Sequence, residues 1–167
     1  MARLRLQGDQ LHISIRARGL APNLVHAQHI HGVGSGECPP PALMPSSHQQ
    51  SDGTVQRFLS TSDGAPFYGP IVSSLTTEGE TTPAQGLTVE VMPVADEQGR
   101  IRYDRVITLP AEVAENITDF QIVQHGVDFN GNAAYDFDSA GASDLDPAFP
   151  QEATAPANCG TINHHHS

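Results

Sequence analysis

The chain contains no tryptophan and no lysine. Its eight basic residues are all arginine and face 19 acidic ones, for a formal charge of −11. That balance argues against nucleic acid and anionic membrane surfaces as partners. The lysine deficit reads most simply as a trace of genomic base composition. No apolar run approaches the roughly 18 residues of a transmembrane helix. The start, Met1-Ala2-Arg3-Leu4-Arg5-Leu6, lacks the apolar segment of a signal peptide, which is expected to be absent from this form of the chain. There is no Gly-x-Ser-x-Gly elbow, phosphate-binding loop or His-Glu-x-x-His motif. Paired carboxylates for glycoside hydrolysis would depend on spatial pairing, which sequence does not display.

Cysteine is scarce as well: Cys38 and Cys159 are the only two. So wide a separation excludes a zinc knuckle and a Cys-x-x-Cys redox pair. A bond between them would close most of the chain into one loop and contribute about 4–5 kcal/mol by loop-closure entropy. It would also imply an oxidising compartment. The alternative is two reduced, buried cysteines in a cytosolic protein.

Glycine (15) and proline (13) are plentiful, which points to many turns and short strands. Residues 3–6 and 11–18 alternate polar and apolar around Gly8-Asp9 and predict a hairpin. Further strands are predicted at 24–31, 54–60, 71–75, 87–94, 100–109, 120–125 and 159–162, with one helical turn at 111–116. Two long irregular stretches, 32–52 and 127–158, leave from the strands that carry histidines, and loops of that length usually have a function. The reading is an all-β fold, a Greek-key antiparallel β-barrel or sandwich of about eight strands with two long loops. It forms a single domain over 1–163. The ending Asn163-His164-His165-His166-Ser167 reads as a tag remnant, and 164–167 are set aside.

Against this background, three histidines fall within six residues: His26-Ala27-Gln28-His29-Ile30-His31. On a strand, His29 and His31 share one face, about 7 Å apart, and Ile30 takes the other. Two such imidazoles can converge on one metal ion. His26 has the opposite parity. His125 ends an apolar strand before Gly126, where a turn can bring its ring toward the pair. A His-x-His pair with a remote third histidine on a β scaffold suits copper or zinc. The competing reading is histidines that only hydrogen-bond loop carbonyls. His48, in the first long loop, is a candidate fourth ligand or a solvated loop residue. His12 is expected to be exposed.

The segment His26-Ala27-Gln28-His29-Ile30-His31-Gly32 resembles the signature strand of the copper/zinc superoxide dismutases. Ile122-Val123-Gln124-His125-Gly126 is similar to that family's later copper-ligand strand, and Ala157-Asn158-Cys159-Gly160-Thr161-Ile162 to its last strand. The order His26, His29-x-His31, Cys38, His125, Cys159 is kept over most of the chain. The resemblance implies copper on His29, His31 and His125. It also implies that His26 hydrogen-bonds backbone beside the metal, and that Cys38 pairs with Cys159. An oxidoreductase acting on superoxide, in a secreted or periplasmic protein, would follow. Departures from the family are plain. Between Cys38 and His125 the only histidine is His48, so the family's zinc site is excluded by count. The family's substrate-guiding arginine is replaced by Pro156, leaving Arg57 or Arg105 as spatial substitutes.

The chain is also similar to secreted chordin-type (CHRD) domains, through Gly19-Leu20-Ala21-Pro22-Asn23 and the histidine strand. Tyr68-Gly69-Pro70-Ile71, His125-Gly126-Val127-Asp128 and Pro156-Ala157-Asn158-Cys159-Gly160 carry the same likeness. That resemblance implies a copper- or zinc-binding or structural domain without turnover. Asp128-Phe129-Asn130-Gly131-Asn132, with Asp136 and Asp138, resembles the start of a calcium loop. Its glycine is misplaced and no glutamate follows at the required spacing, so an Asn-Gly turn is the simpler reading and calcium is not expected. Whether the chain forms a homo-oligomer is left open.

Overall fold

The computed structural model describes residues 1–49 and 53–163, so the tag reading of 164–167 lies outside the described residues. The fold is mainly β, with antiparallel sheets. Strand β1 (Ala2–Gln7) turns at Gly8, whose positive φ suits a tight hairpin, into β2 (Gln10–Ala17). β3 (Gln28–His31) follows, then the small hairpin of β4 (Ser47–Gln49) and β5 (Val55–Arg57). Helix α1 (Thr61–Tyr68) leads into β6 (Ile71–Ser74). β7 (Ile101–Thr108), α2 (Ala111–Glu115), β8 (Gln121–His125), α3 (Gln151–Thr154) and β9 (Pro156–Thr161) complete the order.

Seven strands form two main sheets, β1-β2-β7 and β6-β3-β8-β9. Leu11, Ile13 and Ile15 of β2 and Ile101, Tyr103 and Ile107 of β7 point inward at every second position, as a half-buried sheet requires. They share one core with Ile30 of β3 and Ile122 of β8. The two sheets therefore pack over a common interior. No strand joins β1 to β9 among the described residues, so the assembly is an open sandwich and the closed-barrel alternative is not realised.

β3 and β8 are buried on both faces. Ile30 and Ile122 take the core side, so His29, His31 and their same-face neighbours look outward, where the long connections cover them. This double burial is how a site forms outside the core yet away from water.

Several local expectations change: β3 begins at Gln28 and not at 24, and β4 and α3 lie inside stretches expected to be irregular. Residues 87–94 are not a strand: Val89–Val91 form a 3₁₀ turn, and only Val94 keeps an isolated bridge, to Val25. The Val91 and Met92 amides donate back to Thr88 and Val89, so local bonding overrides the β-prone composition. Residues 61–68 form a helix that the periodicity did not signal. Ser60 caps it in a reciprocal box with Asp63, each side chain accepting from the other's backbone N–H.

Candidate metal centre

β3 supplies His29 and His31, and β8 supplies His125 from the adjacent strand. All three are nearly inaccessible, at 3, 4 and 5% exposure. Their ring centroids form a triangle with sides of 5.4, 5.2 and 5.7 Å. One ligand nitrogen from each ring lies within 4.8 Å of the others.

Each ring has one nitrogen held by backbone. His29 Nε2 lies 3.0 Å from the Gly86 carbonyl oxygen, His31 Nδ1 2.8 Å from that of Gly69, and His125 Nδ1 2.7 Å from that of Thr154. A carbonyl only accepts, so the proton belongs on that nitrogen in each case. The opposite nitrogen then keeps its lone pair. Those three atoms, His29 Nδ1, His31 Nε2 and His125 Nε2, are buried and accept no hydrogen bond. Orphaned buried acceptors are costly and rare, and three together require an explanation. A metal ion supplies one, because ligating histidines characteristically donate their other N–H to a carbonyl.

The electrostatics agree. Burial, then the neighbouring His125 and His31, hold His29 well below the usual imidazole range. Burial, followed by His125, lowers His31 to about 3, and burial lowers His125 to about 4. The carbonyl bonds oppose each shift without reversing it. All three rings are therefore neutral at pH 7, the form that binds metal.

The carbonyls come from three different connections. Gly69 ends α1, with φ of 75°, and a Cβ there would lie 2.0 Å from the Gly32 carbonyl oxygen. Only glycine fits this contact between the end of α1 and the chain leaving β3. Gly86 follows a 3₁₀ turn at Pro83–Gln85, and Thr154 ends α3. Tyr68, 1% exposed, sets its ring edgewise against His31 at 4.8 Å. Sequence reasoning missed Gly86 and Thr154, and it met Tyr68 and Gly69 only within the CHRD-like segment Tyr68-Gly69-Pro70-Ile71, without a role beside the histidines. Backbone acceptors carry no side-chain signature; the signals near α1 are the Ser60-x-x-Asp63 cap and the CHRD-like Tyr68-Gly69-Pro70-Ile71 segment.

The other candidates fall elsewhere. His26 is fully buried, with Nδ1 2.8 Å from the His125 carbonyl oxygen and Nε2 3.1 Å from that of Ala21. It braces the strand that carries a ligand and does not point at the convergence. His48 stacks on Phe58 at a centroid distance of 4.0 Å and is not part of the converging group. His12 is exposed. Cys38 and Cys159 are joined in a disulfide. Asp128 turns both carboxylate oxygens to the amides of Gly131, Asn132 and Ala133, an Asx-type turn. The three histidines are the group of metal-ligating side chains that converges among the described residues.

Arg105 is spoken for: its guanidinium donates to the carbonyls of Thr76 and Gly79. Arg57 is exposed on β5. No helix is long and apolar enough to cross a membrane. Comparison with family models, curated proteins and solved structures returns no match.

Proposed function

We propose that this protein binds one copper ion on His29, His31 and His125, in the manner of the superoxide dismutase-like β-domains that its sequence resembles. The observation that carries this reading is the trio of buried, unpartnered imidazole nitrogens, each fixed in tautomer by a backbone carbonyl. An all-imidazole set with no thiolate or carboxylate suits copper, whose affinity for such donors exceeds that of zinc. Copper held there supplies one-electron redox chemistry, with superoxide as the substrate that the resemblance suggests. The chain's own part is to hold three neutral rings in register and to exclude bulk water. The disulfide is consistent with an oxidising compartment, and we place the protein in a secreted or periplasmic setting.

A second reading, a CHRD-type domain that holds copper or zinc without turnover, draws support from Arg105. Its commitment to Thr76 and Gly79 removes one candidate guide for an anionic substrate, in a chain whose net charge already repels one. The deciding experiment uses protein freed of residues 164–167. Metal analysis is expected to give one copper per chain, lost in His31→Ala. Absence of metal after copper loading, or full retention in His31→Ala, would sink both readings. Superoxide decay no faster than with buffer would leave only the second.

A further inference from the structure

The sandwich is open at the seam between β1 and β9. Among the described residues β1 pairs only with β2 and β9 only with β8, so each presents a free edge. Between those edges runs a cleft of about 1780 Å³, with Leu4, Ile15, Ile122 and Ile162 in its lining. We propose that this cleft takes one extended segment of a partner protein, apolar on its inner face and acidic on its outer face, added as a strand along β1.

The backbone of β1 is set for it. The Arg16 amide donates to the Met1 carbonyl, and the terminal ammonium donates to that of Arg16, both at 2.9 Å. Met1 and Arg16 are thus a hydrogen-bonded pair. Antiparallel alternation makes Arg3 with Ser14 and Arg5 with His12 the next such pairs. The N–H and C=O groups of Ala2, Leu4 and Leu6 therefore point away from β2, along the free edge. Their side chains share the face of Ile15, Ile13 and Leu11, on the cleft side. Leu6 is 36% exposed, and β1 is the least buried strand of its sheet. A strand added here gains main-chain bonds on one side and covers apolar surface on the other.

Charge selects the occupant. Arg57 apart, every arginine lies on or beside β1, β2 or β7, in a chain of net charge −11. Arginine ion pairs among the described residues are Arg16–Asp104 and Arg100–Asp96, so Arg3, Arg5, Arg18 and Arg102 have no acidic partner. Arg3 and Arg5 project from the outer face of β1, next to where an added strand would place its own outward side chains. Acidic residues there form favourable cross-strand pairs. A second copy pairing through β1 would set Arg3 and Arg5 against their own counterparts, which like-charge repulsion disfavours.

The test titrates two capped octapeptides, alternating valine with glutamate or valine with lysine, into the chain freed of residues 164–167. The readout is peptide fluorescence anisotropy. The glutamate peptide should bind, slow amide exchange at Leu4 and Leu6, and weaken as salt rises. Arg3→Glu with Arg5→Glu should weaken it about tenfold. Leu6→Pro deletes an outward N–H without touching the ladder to β2 and should abolish the protection at Leu4. Equal binding of both peptides, binding without protection of β1, or no binding of either would overturn the proposal. Self-association of the chain with protection of the same amides would also overturn it, by assigning the seam to a second copy.

Discussion

At the scale of single residues, the centre is a matter of lone pairs. Three neutral imidazoles each donate one N–H to a carbonyl and keep an acceptor with nothing to accept. The cost shows in the metal-free protein's response to acid. His31 and His125 ionise in the fold at about 3 and about 4, and His29 is lowered too, against an unfolded value near 6.5. A base with a depressed folded pKa is protonated first in the unfolded state. Acidification therefore favours unfolding. The stability is whole above about pH 6.5 and falls through the window down to about pH 4 for His125 and about pH 3 for His31. The slope is up to about 1.4 kcal/mol per pH unit for each histidine involved. Urea midpoints of metal-free protein should drop between pH 6.5 and 4.5, and His125→Gln should flatten part of that slope. A midpoint constant across this range would mean the rings are not buried neutral. The parity of His29 and His31 was legible in the sequence because a strand alternates faces whatever surrounds it. Their partners Gly69, Gly86 and Thr154 were not, since any residue type presents a carbonyl.

At the scale of elements, α1 is the piece the sequence concealed and the site needs. Its eight residues include Gly64 and Pro66, both poor helix formers, so no apolar periodicity announces it. What starts it is the Ser60–Asp63 box, and what ends it is Gly69, whose carbonyl accepts the hydrogen bond of His31. The cap and the carbonyl that orients His31 thus sit at opposite ends of one short helix. Ser60→Ala should cost about 1 kcal/mol, seen as a fall of about 2–4 °C in melting temperature. It should also weaken copper binding, through a looser Gly69. The exposed His12→Ala should leave both unchanged. If Ser60→Ala lowers the melting temperature and leaves copper affinity at the wild-type value, α1 does not position the ligand. The opposite error, the strand expected at 87–94, has the same origin. There local 3₁₀ bonding outweighs β-prone residues, just after Gly86, whose carbonyl meets His29.

At the scale of the whole molecule, the disulfide and the three-histidine group lie in the same region. Cys38 lies in the connection that leaves β3, and Cys159 lies opposite Val123 of β8, which in turn lies opposite His29. The bond spans 121 residues, so loop closure gives it about 4–5 kcal/mol on the entropic account. A ligand that binds only the folded state adds stability of its own, about 2.7 kcal/mol at a free concentration one hundred times its dissociation constant. The two contributions act on different states. The disulfide restricts the unfolded chain, whereas the ion stabilises the folded one. Cys38→Ser with Cys159→Ser should therefore lower the denaturant midpoint, and copper should restore a part of the loss that grows with the logarithm of its free concentration. If the bond also sets the ligand geometry, the double variant will bind copper more weakly, and the restored part will be smaller than in the wild type at equal copper. If it does not, the two copper-dependent increments will match and only the baselines will differ. Denaturation curves of both proteins over a copper series separate these cases, and an increment absent from both would remove the metal from the account altogether.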